Sequence, residues 1–167
     1  MNCLASGRDS AERAVDAYIE FLSKQQEHFE FTTFPAEGSS GMVTVTHIEF
    51  ASLCEHHFLP YTGFAHVGYI AGDRVCGLSK IVRVVDHYAH RPSIQEVLTS
   101  KIATFLWEQL EPQGCGVVIE ASHTCMSVRG VERPGHITVT SDVRGCFKQV
   151  AVRSEFLALI QQSKVTR

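Results

Sequence analysis

The stretch Gly116-Val-Val-Ile-Glu-Ala-Ser-His-Thr-Cys-Met-Ser-Val128 is the most informative part of the sequence about the fold. We predict a β-strand over residues 116–128. Successive side chains of a strand point to opposite faces, so the odd-numbered residues, among them His123, Cys125 and Arg129, would share one face. A face that carries a thiol, an imidazole and a cation indicates a functional site. An edge strand with a polar outward face is the alternative interpretation.

The segments on either side of this strand predict an α+β fold, an antiparallel sheet with helices on one face. Apolar residues recur at helical spacing over residues 10–22, 79–90, 93–110 and about 154–160. Alternating or apolar runs predict strands over residues 43–50, 64–70 and 137–143. The predicted order is a helix, two strands, two helices, two strands and a helix.

Length and composition describe one globular domain that has neither nucleic acid nor a membrane as a partner. The chain has 167 residues, of which 44% are hydrophobic and 20% charged, and a net charge of −3 provides no field that attracts polyanions. Its six cysteines lack the dense spacing of a disulfide framework. Neither a signal segment nor a membrane-length apolar run is evident. The cytoplasm is therefore the predicted compartment.

Cys54-Glu-His-His57 and Cys125 form a candidate metal site. One turn can direct a thiolate and an imidazole three residues apart at the same ion. Two thiolates and one imidazole suit Zn²⁺, and three protein ligands leave a fourth position for water. His56 and His123 flank these ligands and could move protons. Core packing is the alternative interpretation of each cysteine.

Several separated motifs resemble those of the GTP cyclohydrolase I family over about residues 10–162. They are Cys54-Glu-His-His57-Phe-Leu-Pro60, Gly77-Leu-Ser-Lys80-Ile-Val-Arg83, Gln95-Glu96-Val-Leu-Thr99, His123-Thr-Cys-Met126, Arg129-Gly-Val131 and Thr138-Val-Thr-Ser141. The resemblance implies the tunnelling fold, in a homo-oligomeric ring, usually a decamer, with active sites between subunits. It also implies a hydrolase that converts GTP to 7,8-dihydroneopterin triphosphate and formate.

The same resemblance implies catalytic and metal-binding roles for individual residues. Cys54, His57 and Cys125 would be the zinc ligands. His123 would be the general acid that protonates N7 of guanine. His56 would act near the ribose, and Ser79 in the later rearrangement of the ribose.

Substrate-binding roles follow from the resemblance as well. Gln95 and Glu96 would read the guanine edge, whereas Lys80, Arg83 and Arg129 would bind the triphosphate. Arg13, in Ser10-Ala-Glu-Arg13, occupies the place of a family arginine that reaches the substrate of a neighbouring subunit.

Two of these roles have ordinary structural alternatives. Glu96 can accept hydrogen bonds from N1–H and the 2-amino group of guanine, but Ser93-Ile-Gln-Glu96 also matches a helix capping box. Lys80 and Arg83 follow a helix start that favours anions, with Ser79 as a possible cap, but they could equally form a solvated helix face.

Residues 1–35 are predicted to form an N-terminal helix and linker, shorter than in the family, and residues 36–167 the catalytic domain. His136-Ile137 stands where the family usually has a small polar residue and then a basic or polar one. The product would enter folate, pterin or deazaguanine biosynthesis. Two other functions remain open: a non-catalytic or regulatory guanine-nucleotide-binding module, and a different enzyme of the same fold that acts on pterins or deazaguanines.

Overall fold

A computed structural model describes residues 7–24 and 30–165 of the chain. The helices are α1 (Gly7–Ser23), α2 (Leu78–Ala89), α3 (Gln95–Leu110), the single turn α4 (Thr124–Ser127) and α5 (Val150–Val165). The strands are β1 (Thr33–Pro35), β2 (Met42–Leu53), β3 (Pro60–Ile70), β4 (Arg74–Cys76), β5 (Gly114–His123) and β6 (Thr138–Gly145). The α+β class is confirmed. In the part of the chain described, no helix is both long and apolar enough to cross a membrane.

The main sheet has the strand order β2-β3-β5-β6, and every neighbouring pair is antiparallel. Leu53 pairs with Pro60, and His123 pairs with Tyr61, so the candidate metal-binding turn (residues 54–59) and the end of β5 lie at the same end of the sheet. A separate ribbon joins β1 to β4. This ribbon connects the predicted N-terminal segment to the rest of the fold, and the division at residue 35 stays a prediction.

Helices cover both faces of the sheet, which corrects the prediction that they lie on one face. Ile81 of α2 and Leu98 of α3 belong to the main core, together with Val117 and Ile119 of β5. Val118 points to the opposite face and belongs to a second cluster. That cluster also contains Phe147, Phe156 and Ile160. Each large apolar side chain buried there contributes about 1.5–3 kcal/mol.

Glycines allow α5 to approach this second face closely. A Cβ added at Gly68 would lie 2.7 Å from the ring of Phe156, and one at Gly116 would lie 2.7 Å from Phe147. Real Cβ contacts are longer than this, so a side chain at either position would displace the aromatic rings. The periodicity of the last helix does not reveal which face it packs on.

The predicted strand over residues 116–128 is wrong beyond His123. Thr124 begins a helical turn, in which Val128 N–H donates to the carbonyl of Thr124 at 3.0 Å. The Thr124 hydroxyl also donates to the carbonyl of Pro60 at 2.6 Å. Such local bonds from threonine compete with strand pairing. Cys125 and Arg129 therefore do not continue the strand face that carries His123.

The predicted serine caps are also corrected. The N-caps of α2 and α3 are Gly77 and Ile94, and neither makes a side-chain capping bond. Ser93 N–H donates to the carbonyl of Leu53 at 2.9 Å, in a bridge that joins Ser93 to Cys54. The start of α3 is thereby fixed beside the candidate metal-binding turn.

The orientation of α2 determines where its polar residues lie. The helix starts soon after β4, at the end of the sheet where β3 finishes, and it ends shortly before Ser93 beside Cys54. Its 12 residues span roughly 18 Å at about 1.5 Å per residue. The first turn of α2 and the first turn of α3 therefore lie at opposite ends of the sheet.

Candidate metal and active site

The turn after β2 presents Cys54 and the two histidines that follow it. Cys54 N–H donates to the carbonyl of Leu59 at 2.9 Å, and Phe58 N–H donates to the carbonyl of Cys54 at 2.8 Å. Phe58 closes the turn with a φ of 54°. Cys54 is buried, whereas His56 and His57 are exposed. The turn thus holds a buried thiol beside accessible imidazoles.

Cys54, His57 and Cys125 form a cluster whose candidate ligand atoms all lie within 4.8 Å of one another. Cys54 Sγ lies 4.0 Å from His57 Nδ1. Bond lengths of about 2.0–2.3 Å place the ligand atoms of a tetrahedral zinc site roughly 3.4–3.8 Å apart. Small side-chain rotations would bring this cluster to that spacing. The predicted ligands therefore meet in a set that could hold a metal.

Cys125 lies close to a second thiol and to an arginine, and both influence its pKa. Burial raises the pKa of Cys125 above its ordinary value, and the neighbouring Cys54 raises it further. The charge of Arg129 opposes these effects, which places Arg129 near the cluster. Two adjacent thiolates repel each other unless a cation lies between them. His56 Nδ1 is also 4.0 Å from Cys54 Sγ, so His56 stands at the edge of the same cluster.

His123 is held at the end of β5 by two contacts. Its ring stacks on Tyr61 with a centroid distance of 4.4 Å and an interplanar angle of 6°. Its Nε2 lies 2.8 Å from Oε1 of Gln95. Burial lowers the pKa of His123, His136 lowers it further, and Glu96 opposes both. The imidazole is therefore fixed in orientation and lies close to Glu96.

Gln95 and Glu96 begin α3 but face different surroundings. Gln95 is 1% exposed, and Glu96 is exposed. Both belong to the first turn of α3, which the bridge between Ser93 and Cys54 holds at the end of the sheet that carries the Cys54 cluster. The carboxylate of Glu96 is thus available to a ligand beside His123, whereas the side chain of Gln95 is enclosed.

A family model described as GTP cyclohydrolase I matches residues 5–161. The chain belongs to the GTP cyclohydrolase I family. It is 48% identical to GTP cyclohydrolase 1 of Aquifex aeolicus over 156 residues, which cover 92% of this chain and 84% of that protein. It is 51% identical to GTP cyclohydrolase 1 of Thermobifida fusca over 151 residues, which cover 89% of this chain and 72% of that protein.

A solved structure of the archaeosine synthase QueF-Like in the apo form shares the fold of this GTP cyclohydrolase I family member. The TM-score is 0.52 at 16% identity, and the match covers 62% of this chain and 93% of that chain. At this identity the likeness concerns the arrangement of helices and strands alone.

Three of the predicted site residues lie at the other end of this family member's fold. Ser79, Lys80 and Arg83 belong to the first turns of α2, roughly 9–15 Å along the helix axis from its last residue, Ala89. Lys80 Nζ donates to the carbonyl of Glu30 at 2.6 Å. The structure therefore does not bring these residues to the Cys54 cluster of the same chain.

Arg13 lies on α1, and the second half of that helix contacts the candidate metal-binding turn. The Tyr18 hydroxyl donates to the carbonyl of Phe58 at 2.8 Å. The Arg13 guanidinium is exposed and donates to the hydroxyl of Ser10 at 3.0 Å. Arg13 thus extends from a helix anchored beside the candidate metal centre.

Sequence reasoning missed the support that Tyr61 gives to this site. Tyr61 is fully buried, and its burial raises the pKa of its hydroxyl to about 12, so it remains neutral. Pairing between Tyr61 and His123 across β3 and β5 places the two rings face to face. A lone tyrosine four residues after His57 carries no signal of this role, because the stacking depends on the register of two strands.

His136 is a second residue whose position the sequence did not indicate. His136 lies two residues before β6, and its influence on the pKa of His123 places the two imidazoles near each other. Nδ1 of His136 lies 2.7 Å from the carbonyl of Arg133. Its Nε2 is buried and has no hydrogen-bond partner in the described part of the chain. The departure from the family pattern at this position was the one available signal.

A cavity of about 730 Å³ lies over the part of the sheet that α5 leaves open. Its lining includes Glu49, Phe64, Glu120 and Ser122, and it contains none of the cluster residues Cys54, His57 and Cys125. The cluster lies at the end of the sheet, so the cavity does not contain the candidate metal site.

Proposed function

We propose that this protein is a zinc-dependent GTP cyclohydrolase I, which converts GTP to 7,8-dihydroneopterin triphosphate and formate. The observation that carries the proposal is the cluster of Cys54, His57 and Cys125 with His123 and Glu96 beside it. The high identity to relatives named GTP cyclohydrolase 1 supports the same reaction.

Cys54, His57 and Cys125 would hold the zinc ion. Two thiols and an imidazole match the preference of zinc for sulfur and nitrogen ligands, and three ligands leave a position open. When bound, zinc lowers the pKa of a water molecule to about 7 and so supplies a nucleophile for C8 of guanine. The exposed position of His57 leaves the cluster accessible to a substrate.

The chain's own residues would handle the protons and the guanine ring. His123 would protonate N7, because attack at C8 moves charge onto that nitrogen. His56 would serve as a second proton carrier at the edge of the cluster. Glu96 would accept the N1–H and 2-amino hydrogens, a donor pair that adenine does not offer. Ser79 would act in the later ribose rearrangement.

The phosphate-binding residues support an assembly with sites between subunits. Arg129 lies beside Cys125 and would bind the triphosphate in the same chain. Lys80 and Arg83 lie at the opposite end of the sheet from the Cys54 cluster of their own chain. A second subunit would therefore supply the Lys80 and Arg83 that act beside this cluster. Arg13 would come from a further subunit. We propose a ring of such subunits in the tunnelling fold, with a decamer as the expected size.

Turnover of GTP by purified, zinc-loaded protein tests the proposal. Formate release and the fluorescence of the oxidised pterin product would both rise with time, and ATP would give neither signal. Binding of GTP without formate release at any pH near neutrality would instead favour a guanine-nucleotide-binding module.

A further inference from the structure

We propose that Gln95 is a positioning residue that fixes the protonated nitrogen of His123 and thereby selects Nδ1 as the atom that exchanges a proton with the substrate. The inference rests on the proposed function, in which His123 protonates guanine. It replaces contact with the guanine edge as the role of Gln95.

The orientation of the Gln95 side-chain amide is determined by its surroundings. Its Nε2 lies 3.0 Å from the carbonyl oxygen of Ile119 and 3.0 Å from that of Thr138. Thr140 Oγ1 lies 3.1 Å from the same nitrogen. Backbone carbonyls only accept hydrogen bonds, so the amide nitrogen must face them. A flipped amide would place its oxygen against two carbonyl oxygens in a buried site.

This orientation determines the tautomer of His123. The amide oxygen Oε1 is the atom that lies 2.8 Å from His123 Nε2. Because an amide oxygen accepts and cannot donate, His123 Nε2 must carry the hydrogen. In the neutral imidazole the other nitrogen, Nδ1, is then without a proton. The two backbone carbonyls thus determine, through the side chain of Gln95, which nitrogen of His123 carries the hydrogen.

The surrounding packing keeps the side chains of Gln95 and His123 in fixed positions. Gln95 is 1% exposed, and its backbone carbonyl accepts a hydrogen bond from the Thr99 hydroxyl at 2.8 Å. The hydroxyl oxygens of Thr99 and Thr140 lie 2.7 Å apart. Tyr61 covers one face of the His123 ring, so the ring cannot rotate without leaving the stack. The imidazole therefore has one orientation and one protonated nitrogen when neutral.

The consequence for function concerns which atom meets the substrate. Nε2 is occupied by Gln95, and Nδ1 has no hydrogen-bond partner among the described residues. Nδ1 is consequently the nitrogen that can accept a proton and return it to guanine. Loss of the amide would allow the other neutral tautomer, in which Nδ1 already carries the hydrogen and Nε2 faces the protein.

Kinetics of Gln95→Met test the positioning role, because methionine has a similar length and makes no such hydrogen bonds. We expect kcat for GTP to fall by about tenfold or more, within the range of general acid–base effects. The KM for GTP should stay within about twofold, and bound zinc should be unchanged. Thr104→Val is the matched control: it removes two hydrogen bonds from the other end of α3 and should keep kcat. A large rise in KM with kcat preserved would mean that Gln95 reads the guanine edge.

The tautomer itself can be measured in the wild-type protein by solid-state NMR with ¹⁵N-labelled histidine. The signal that disappears in His123→Asn should show a protonated Nε2 and a bare Nδ1. A protonated Nδ1 in neutral His123 would overturn the proposal, even if Gln95→Met fails to fold. If the wild type shows the expected tautomer and does not convert GTP, the proposed function fails and the role of Gln95 in fixing the imidazole stands.

Discussion

Cys125 and His123 are two residues apart and belong to different elements. His123 ends β5, and Cys125 lies in the turn α4. The change from strand to helical turn lets one side chain join the thiol cluster while the other stacks on Tyr61. Metal binding and proton transfer are therefore assigned to separate residues, and substitutions should separate them.

We expect Cys125→Ala to lose both zinc and turnover, because the remaining pair binds the ion weakly. His123→Ala should retain zinc, and its rate of turnover should fall by about 10²–10⁴-fold. Metal analysis and formate release on the same samples measure both effects. Cys146→Ala, at a half-buried cysteine outside the cluster, is the control and should keep its zinc. Full zinc in Cys125→Ala, or none in His123→Ala, would reverse the two assignments.

His66 gives a pH dependence that is independent of the metal centre. The residue is fully buried, and burial lowers its pKa from 6.5 to about 4, while Glu120 opposes and His47 and Lys164 add to the shift. The unfolded chain therefore takes up this proton first as the pH falls. The contribution of His66 to the free energy of unfolding is complete above about pH 6.5 and is lost progressively as the pH falls to about 4.

Urea denaturation of zinc-free protein at pH 7 and pH 5 measures this effect. The wild type should lose on the order of 1–2 kcal/mol between these two values because of His66. His66→Leu should lose correspondingly less over the same interval, whatever its stability at pH 7. Equal losses in the two proteins would show that His66 is protonated as readily in the folded state as in the unfolded chain.

At the residue scale, only part of the candidate site could be predicted from the sequence. Cys54 and His57 are close in sequence, so their shared role follows from spacing. The stack of Tyr61 on His123 and the enclosure of Gln95 depend on strand register and on the docking of α3. No local pattern encodes those contacts, because they join segments 24 or more residues apart.

At the scale of elements, the hydrophobic periodicity predicted α2 and α3 well. It did not predict the end of β5, which a side-chain hydrogen bond determines, or the face of the sheet on which α5 packs. The apolar stripe of α3 matches its buried residues Leu98, Ile102 and Leu106. The end of β5 was missed because Thr124 bonds Pro60, which lies on another strand. The position of α5 was missed because the glycines that admit it are in β3 and β5, far from the helix in sequence.

Gly68→Ala tests the close approach of α5 to the sheet. The added methyl group would meet the ring of Phe156 at 2.7 Å, and overpacking of this kind costs about 1–3 kcal/mol. Gly41→Ala is the control, since a Cβ there meets nothing within 4 Å. Urea unfolding should show a clear loss for Gly68→Ala and little change for Gly41→Ala. Equal stability of the two variants would mean that α5 does not pack as described.

At the scale of the whole molecule, the polar residues of α2 and the metal cluster are separated by the length of the sheet. Lys80 and Arg83 lie in the first two turns of α2, and Cys54 lies beyond its other end. Under the proposed function, one chain would hold two partial sites, one at each end of the sheet. A ring of identical subunits would join each partial site to the complementary one of a neighbour.

Mixed assemblies test this arrangement. Lys80→Ala and His123→Ala should each be nearly inactive alone, because every site lacks one group. After refolding together in equal amounts, up to about a quarter of the sites would combine two intact halves if subunits assemble at random in a symmetric ring. A mixture of His123→Ala with Cys54→Ala should stay inactive, since both changes damage the same half. Mixing without any recovery of formate release would place Lys80 and His123 outside a shared site.

Removal and return of zinc is the most direct measurement of the central claim, that the Cys54, His57 and Cys125 cluster makes this chain a zinc-dependent GTP cyclohydrolase. Protein treated with a chelator should release no formate from GTP. Adding zinc back should restore turnover in proportion to the metal bound, up to one ion per chain. Full activity in metal-free protein, or no formate from the zinc-loaded protein, would contradict the account.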